Sequence, residues 1–306
     1  MVSYIVRRLL IAIPTLIGVA TTIFLLLHLI PGDPARVIAG PQATQADVNH
    51  LREQLGLNLP LWQQYLNFLW GLTHGNLGTS FVTGGPVMEQ ISSRFPFTLE
   101  LAVLSMCVAL VVGTALGVLA ALRRNSVLDL LISALAVFGV SMPVFWTGLL
   151  LIILFAVNLH WLPAAGAESP QSYIMPTLTL AFFSVGFIAR QTRGAMLDVL
   201  SLDYVRTARA KGASRFSVLI RHGLRNALLP IVTAAGLQFG QLLGGAVLTE
   251  TIYSWPGMGQ YLVNSINSRD YVAVQGTVFL FALGVILVNL ITDLVYAYID
   301  PRIRYD

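Results

Sequence analysis

The sequence predicts an all-α integral membrane protein with six transmembrane helices and both ends on the cytoplasmic side. Three observations carry that expectation. Hydrophobic residues make up 56% of the 306-residue chain and charged residues only 10%, with a mean hydropathy of +0.75; a soluble chain of this length carries far more charge. Six apolar runs are long enough to cross a bilayer or most of one: 9–30, 101–122, 130–157, 174–189, 227–248 and 271–291. With the N-terminus inside, fourteen of the eighteen Lys and Arg residues fall on one side, which is the positive-inside pattern.

The first run follows Arg7 and Arg8, as a signal peptide would. It is about twice the length of a signal h-region and no small-x-small cleavage site ends it, so it reads as an uncleaved helix occupying residues 1–30. Pro31-Gly-Asp-Pro34 ends it in a turn. Residues 31–98 then form an extracytoplasmic segment. Thr44 and Asp47 have capping-box spacing ahead of Val48, Leu51 and Leu55, with Gly56 as a stop. Pro60 suits the first turn of a further helix bearing Trp62, Tyr65, Phe68 and Trp70, aromatics suited to the headgroup level.

Residues 99–299 make the core with five spans, and 300–306 form a cytoplasmic tail. Cys107, the single cysteine, reads as a small buried hydrophobe and excludes a disulfide within the chain. In Ser141-Met-Pro143 the proline interrupts the third run, either as a kink packed by neighbours or as a bend lining a pathway with Ser141 available to a polar solute. The fourth run is short, so its end is expected to carry Arg190 to the cytoplasmic interface. Past 248 a Gly- and Pro-rich outer loop holds Ile252, Tyr253, Trp255 and Met258, which all want burial. Glu250 opens that loop as a helix-end carboxylate in water or as part of the outer mouth of a pathway.

Eight of the eighteen cations lie between Arg190 and Arg225, inside a cytoplasmic segment of residues 190–227. In Tyr204-Val-Arg-Thr-Ala-Arg-Ala-Lys-Gly212, Asp203 can cap a short helix that ends at Gly212, a residue suited to a left-handed position. Ser214 can cap a second helix. On an ideal helix Phe216, Leu219, Ile220, Gly223, Leu224, Ala227 and Leu228 share one arc, opposite Arg215, Arg221, His222 and Arg225. Topology or anionic lipid would explain the charge alone; a docking surface for a cytoplasmic protein explains the two helices and the glycine break together.

Several chemistries are missing. Lys211, the only lysine, is preceded by no glycine-rich phosphate loop, so the chain cannot hold ATP that way. The five histidines are scattered without an i,i+4 pair or a cysteine partner, so no metal site is expected. Glu100, Asp129 and Asp293 all sit near span ends, and this scarcity of buried carboxylates argues against a proton- or sodium-coupled secondary carrier.

At these residues the chain resembles the ABC importer permeases of the dipeptide, oligopeptide and glutathione branch, close to nickel and metallophore permeases. The resemblance runs the full length, through Ile30-Pro-Gly-Asp-Pro-Ala-Arg36, Gly75-Asn-Leu-Gly-Thr-Ser80, Ala208-Arg-Ala-Lys-Gly212, His222-Gly-Leu-Arg-Asn226, Trp255-Pro-Gly-Met-Gly259 and Asp300-Pro-Arg-Ile-Arg-Tyr305. It keeps Ala208, Gly212, Leu224 and Pro230 of the general permease motif. Arg206 and Thr207 replace its Glu-Ala pair, His222 its Ile and Arg225 its Pro.

The resemblance implies a type I importer permease in the bacterial inner membrane, with no cofactor of its own and ATP with Mg on partner chains. Implied partners are a second related permease, two ATPase subunits and an extracytoplasmic binding protein. Tyr204, Arg206, Thr207, Ala208, Arg209, Lys211 and Gly212 would meet an ATPase subunit, supported by His222, Arg225, Asn226 and Pro230. Ser141, Pro143, Glu250 and Trp255 are the pathway or gate candidates. Cargo is expected to be di- or oligopeptides or glutathione, with nickel or a metallophore as the alternative.

Overall fold

The computed structural model describes residues 2–29, 33–40 and 42–299. The turn residues Pro31 and Gly32 and the tail 300–306, with Arg302 and Arg304, lie outside the described residues. Among those described, five helices are long and apolar enough to cross a membrane: Leu10–Leu29, Val87–Leu122, Pro170–Leu200, Val218–Ile252 and Tyr271–Leu294. A sixth span results if Val127–Ser141 and Val144–Asn158, bent by 104° at their junction, count as one. The chain divides into two compact units, Met1–Phe97 with Pro256–Ile286, and Thr98–Trp255 with Leu287–Asp306.

In the first unit, α1 (Val2–Leu29) is followed by α2 (Pro34–Ala39), α3 (Gln45–Gln54) and α4 (Leu61–Thr73). Asp33 caps α2, and the capping box expected at Thr44 and Asp47 is formed at the start of α3. There the Thr44 hydroxyl holds the Asp47 carboxyl below the usual carboxylate range. Gly56 takes the positive φ, +64°, expected of a stop. Pro60 sits one place earlier than expected, as the residue preceding α4.

The Gly75–Ser80 block turns out to be architectural. The Asn76 side chain accepts from the Gly78 amide at 2.9 Å, while Gly78 at φ +84° turns the chain against Val272. Ser80 Oγ donates to Asp270. Leu77 thereby joins Val87, Ile91, Met258, Tyr261 and Ala273 in a core completed by α12 (Met258–Asn267) and the start of α13 (Tyr271–Ile299).

The second unit is arranged around α8 (Ile174–Leu200), which runs eleven residues past the span end read from the sequence. Arg190 is therefore within this helix, not at its end. The helices packed on it are α5 (Val87–Leu122), α6 (Val127–Ser141), α7 (Val144–Leu151) and α11 (Arg225–Ile252). Small residues set the crossings, since association in lipid depends on close van der Waals approach rather than on expulsion of water. A Cβ on Gly117 of α5 would stand 2.5 Å from the Ala189 carbonyl oxygen. One on Gly186 of α8 would stand 2.5 Å from the Ala136 carbonyl oxygen. Helix α5 begins at Val87, so the 31–98 segment contains its first turns. The chain takes a sharp bend at Pro143. One local expectation is corrected. Cys107 is exposed, because the α5 phase turns Ser105, Met106 and Ala109 inward and residue 107 outward.

Candidate functional site

The basic segment folds as α9 (Asp203–Ala210), a glycine turn, α10 (Arg215–Ser217) and a π-helical turn over Val218–Leu224 that runs straight into α11. Asp203 is the first helical residue rather than the cap; Leu202 precedes the helix with no side-chain bond, and Asp203 lies 3.6 Å from Arg206 on the exposed face. At the other end the Gly212 amide donates to Arg209 O (3.0 Å) and the Ala213 amide to Ala208 O (3.1 Å). These two bonds, with φ +85° at Gly212, make a Schellman stop. Ser214 Oγ accepts from the Ser217 amide at 3.2 Å, the N-cap expected of it.

Each side of α9 has a distinct task. Val205 is fully buried, whereas Arg206, Thr207, Arg209 and Lys211 are exposed and Ala208 is half-buried. The Tyr204 hydroxyl donates to the His222 carbonyl at 3.1 Å. That carbonyl also accepts from Asn226 Nδ2 at 2.7 Å. A π turn shifts the backbone ladder by one residue, which leaves carbonyls for such side-chain donors. Gly223 lets the Met196 and Leu200 side chains of α8 approach, since a Cβ there would lie 3.1 Å from Met196 Cε. Pro230, inside α11, supplies no N–H for the Asn226 carbonyl. The exposed basic helix is thus fastened by the Tyr204 hydroxyl to the π turn, which itself packs closely on α8 at Gly223 and runs into α11.

The apolar arc drawn for residues 216–228 is corrected by the same π turn. Phe216, Ile220 and Leu228 are exposed; Val218, Gly223 and Ala227 are the buried positions. An inserted residue rotates the later positions by about 100° relative to the earlier ones, so one ideal wheel cannot describe both. Arg225 and Asn226 stay exposed and His222 is half-buried.

The four pathway candidates separate into two pairs. Ser141 and Pro143 lie exposed at the bend, with Ser141 Oγ donating to Val137 O at 2.8 Å. Glu250 and Trp255 are both fully buried, and the Trp255 amide donates to Glu250 O at 2.8 Å. The helix continues to Ile252, one turn beyond the expected end, and this carries Glu250 into the interior instead of into water. Trp255 meets the Tyr173 ring edge-on at 4.5 Å.

Further residues complete this polar interior. The Tyr253 hydroxyl shares a hydrogen bond with Thr179 (2.9 Å) and donates to Gly148 O (3.1 Å), joining α7, α8 and the end of α11. Gln238 Nε2 donates to Ser184 Oγ at 3.2 Å. Near the start of α6, Arg193 grips Asp129 with both Nε (2.6 Å) and an Nη (2.8 Å), and the Asn125 amide adds a third donor. A charge inside a span was a signal for such a pair, but the partner sits 64 positions away in the chain.

Over residues 113–305 the chain matches the family described as "Binding-protein-dependent transport system inner membrane component", and over 1–102 the corresponding N-terminal family. The chain belongs to this family. Relatives include the glutathione transport system permease protein GsiC of Escherichia coli (strain K12), 48% identical over 305 residues with both chains wholly covered. The Salmonella typhimurium (strain LT2) protein of the same name is 50% identical over the same extent. Two solved structures share the fold. The inward-facing MetNI methionine ABC transporter gives a TM-score of 0.59 at 21% identity, covering 70% of this chain and 97% of that one. An amino acid ABC transporter with histidines gives 0.53 at 17%, covering 69% and 94%. The permease is accordingly a multi-pass, non-catalytic inner membrane component of a binding-protein-dependent ABC importer, and the ATPase resides on other chains.

Proposed function

We propose that this permease takes up glutathione or short peptides handed over by a binding protein, working beside a second homologous permease and above two ATPase subunits that hold ATP and Mg. Residues 204–212 seat in an ATPase subunit on the cytoplasmic side. The observation that carries this reading is the linkage of the exposed basic face of α9 to α11 through Tyr204 and the His222 carbonyl. A helix so fastened moves with the span below which it lies, and ATP binding supplies the free-energy difference between two conformations. The cargo class follows from the full-length identity to glutathione permeases.

Reconstitution tests it. The chain alone should hydrolyse no ATP, and the assembled transporter should hydrolyse it faster when loaded binding protein is added. Uptake into ATP-free vesicles driven by a proton gradient would refute the mechanism. Calorimetry of the binding protein against glutathione, dipeptides and nickel chelates tests the cargo; binding of the chelates alone would overturn it.

A further inference from the structure

We infer that α4 is a membrane-seated helix, its exposed face lying in the lipid leaflet reached by the C-terminal end of α1. Helix α4 carries no charged residue along Leu-Trp-Gln-Gln-Tyr-Leu-Asn-Phe-Leu-Trp-Gly-Leu-Thr. One face packs on α1. Tyr65 and Thr21 share a hydroxyl hydrogen bond of 2.6 Å, Phe24 meets the Tyr65 ring at 5.3 Å and the Phe68 ring at 6.1 Å, and His28 Nε2 lies 3.3 Å from Gln64 Oε1. The other face presents Trp62, Leu66 and Trp70 at i, i+4 and i+8, with exposures of 65%, 54% and 69%.

The contacts fix the depth. They centre on Phe24, and the first apolar run of the sequence ends at residue 30. Six residues at 1.5 Å each place α4 about 9 Å inside that end. Interfacial helices bury their apolar face by roughly 5–10 Å, and tryptophans gather at that level. The helix it packs on is bare as well, with Leu25, Leu26 and Leu29 of α1 exposed within the span. Charge lies on the neighbouring elements instead, in the Asp33–Arg52 ion pair and on α3. Bilayer lipid is therefore the partner this face fits.

The test uses the assembled transporter in liposomes, with Cys107→Ala and single cysteines carrying nitroxides. Position 66 should match position 26 of α1 in a high oxygen-to-nickel-chelate collision ratio, while position 53 of α3 should show the low ratio of water. A water-like ratio at 66 would overturn the inference. Shielding from both reagents would overturn it too, by assigning the face to a protein partner. Should the label at 66 disturb folding, bromolipid quenching of tryptophan fluorescence serves instead. A loss of quenching in the Trp62→Phe, Trp70→Phe double variant supports lipid contact, and unchanged quenching refutes it.

Discussion

Gly212 is the residue where the basic segment is most open to a single change. Its φ of +85° lies in the left-handed region, and a Cβ built there meets no atom within 4 Å. Substitution therefore adds no clash, only the backbone penalty, which is about 1–2 kcal/mol for an ordinary L-residue and less for Asn. A penalty of that size reduces the formed-to-open ratio of the turn by roughly 5- to 30-fold. The amides of Gly212 and Ala213, which close the Schellman stop, should then exchange faster by the same factor in Gly212→Val, with Gly212→Ala close behind and Gly212→Asn little changed. Binding-protein-stimulated ATP hydrolysis by the assembled transporter should fall in the same order. Asn reaches at least as far from the backbone as Val, so an effect of side-chain bulk at this surface would reverse the order. Wild-type exchange in Gly212→Val, or a worse Asn than Val, would refute the backbone argument.

Other changes follow from packing and polar pairing. Gly117→Val places a Cβ 2.5 Å from the Ala189 carbonyl oxygen and should destabilise the α5–α8 crossing by about 1–3 kcal/mol, read as a lower Tm of the solubilised complex. Gly194→Val, whose Cβ meets nothing within 4 Å, should leave the Tm nearly unchanged. Tyr253→Phe forfeits the bonds to Thr179 and Gly148 O and should cost about 1 kcal/mol in the same measurement. Arg193→Met should lower the Tm by leaving Asp129 without its bidentate partner, and the exchanged pair Asp129→Arg with Arg193→Asp should recover part of the loss.

Features that depend on a few neighbouring residues were legible in the sequence. The capping box at Thr44 and Asp47, the left-handed stops at Gly56 and Gly212, the Ser214 cap and the apolar spans are of this kind, because short-range sterics and local hydrogen bonds decide them. Interruptions were legible too: Pro143 marked a break, though nothing local set the bend at 104°. Other features required distant segments. Arg190 looked like a helix end, yet α8 continues, and three residues on Arg193 finds its counter-charge on α6. Glu250 looked like a water-facing end until α11 gained a turn and Trp255 folded over beside Tyr173. The buried face of residues 216–228 depended on a π turn that no ideal helical wheel contains. By itself the sequence determined the membrane class, the spans and the glycine-stopped basic helix, since hydropathy and backbone conformation are properties of adjacent residues. Tertiary structure alone decided which polar groups are buried and which helices touch, since burial and close approach depend on segments that folding brings together.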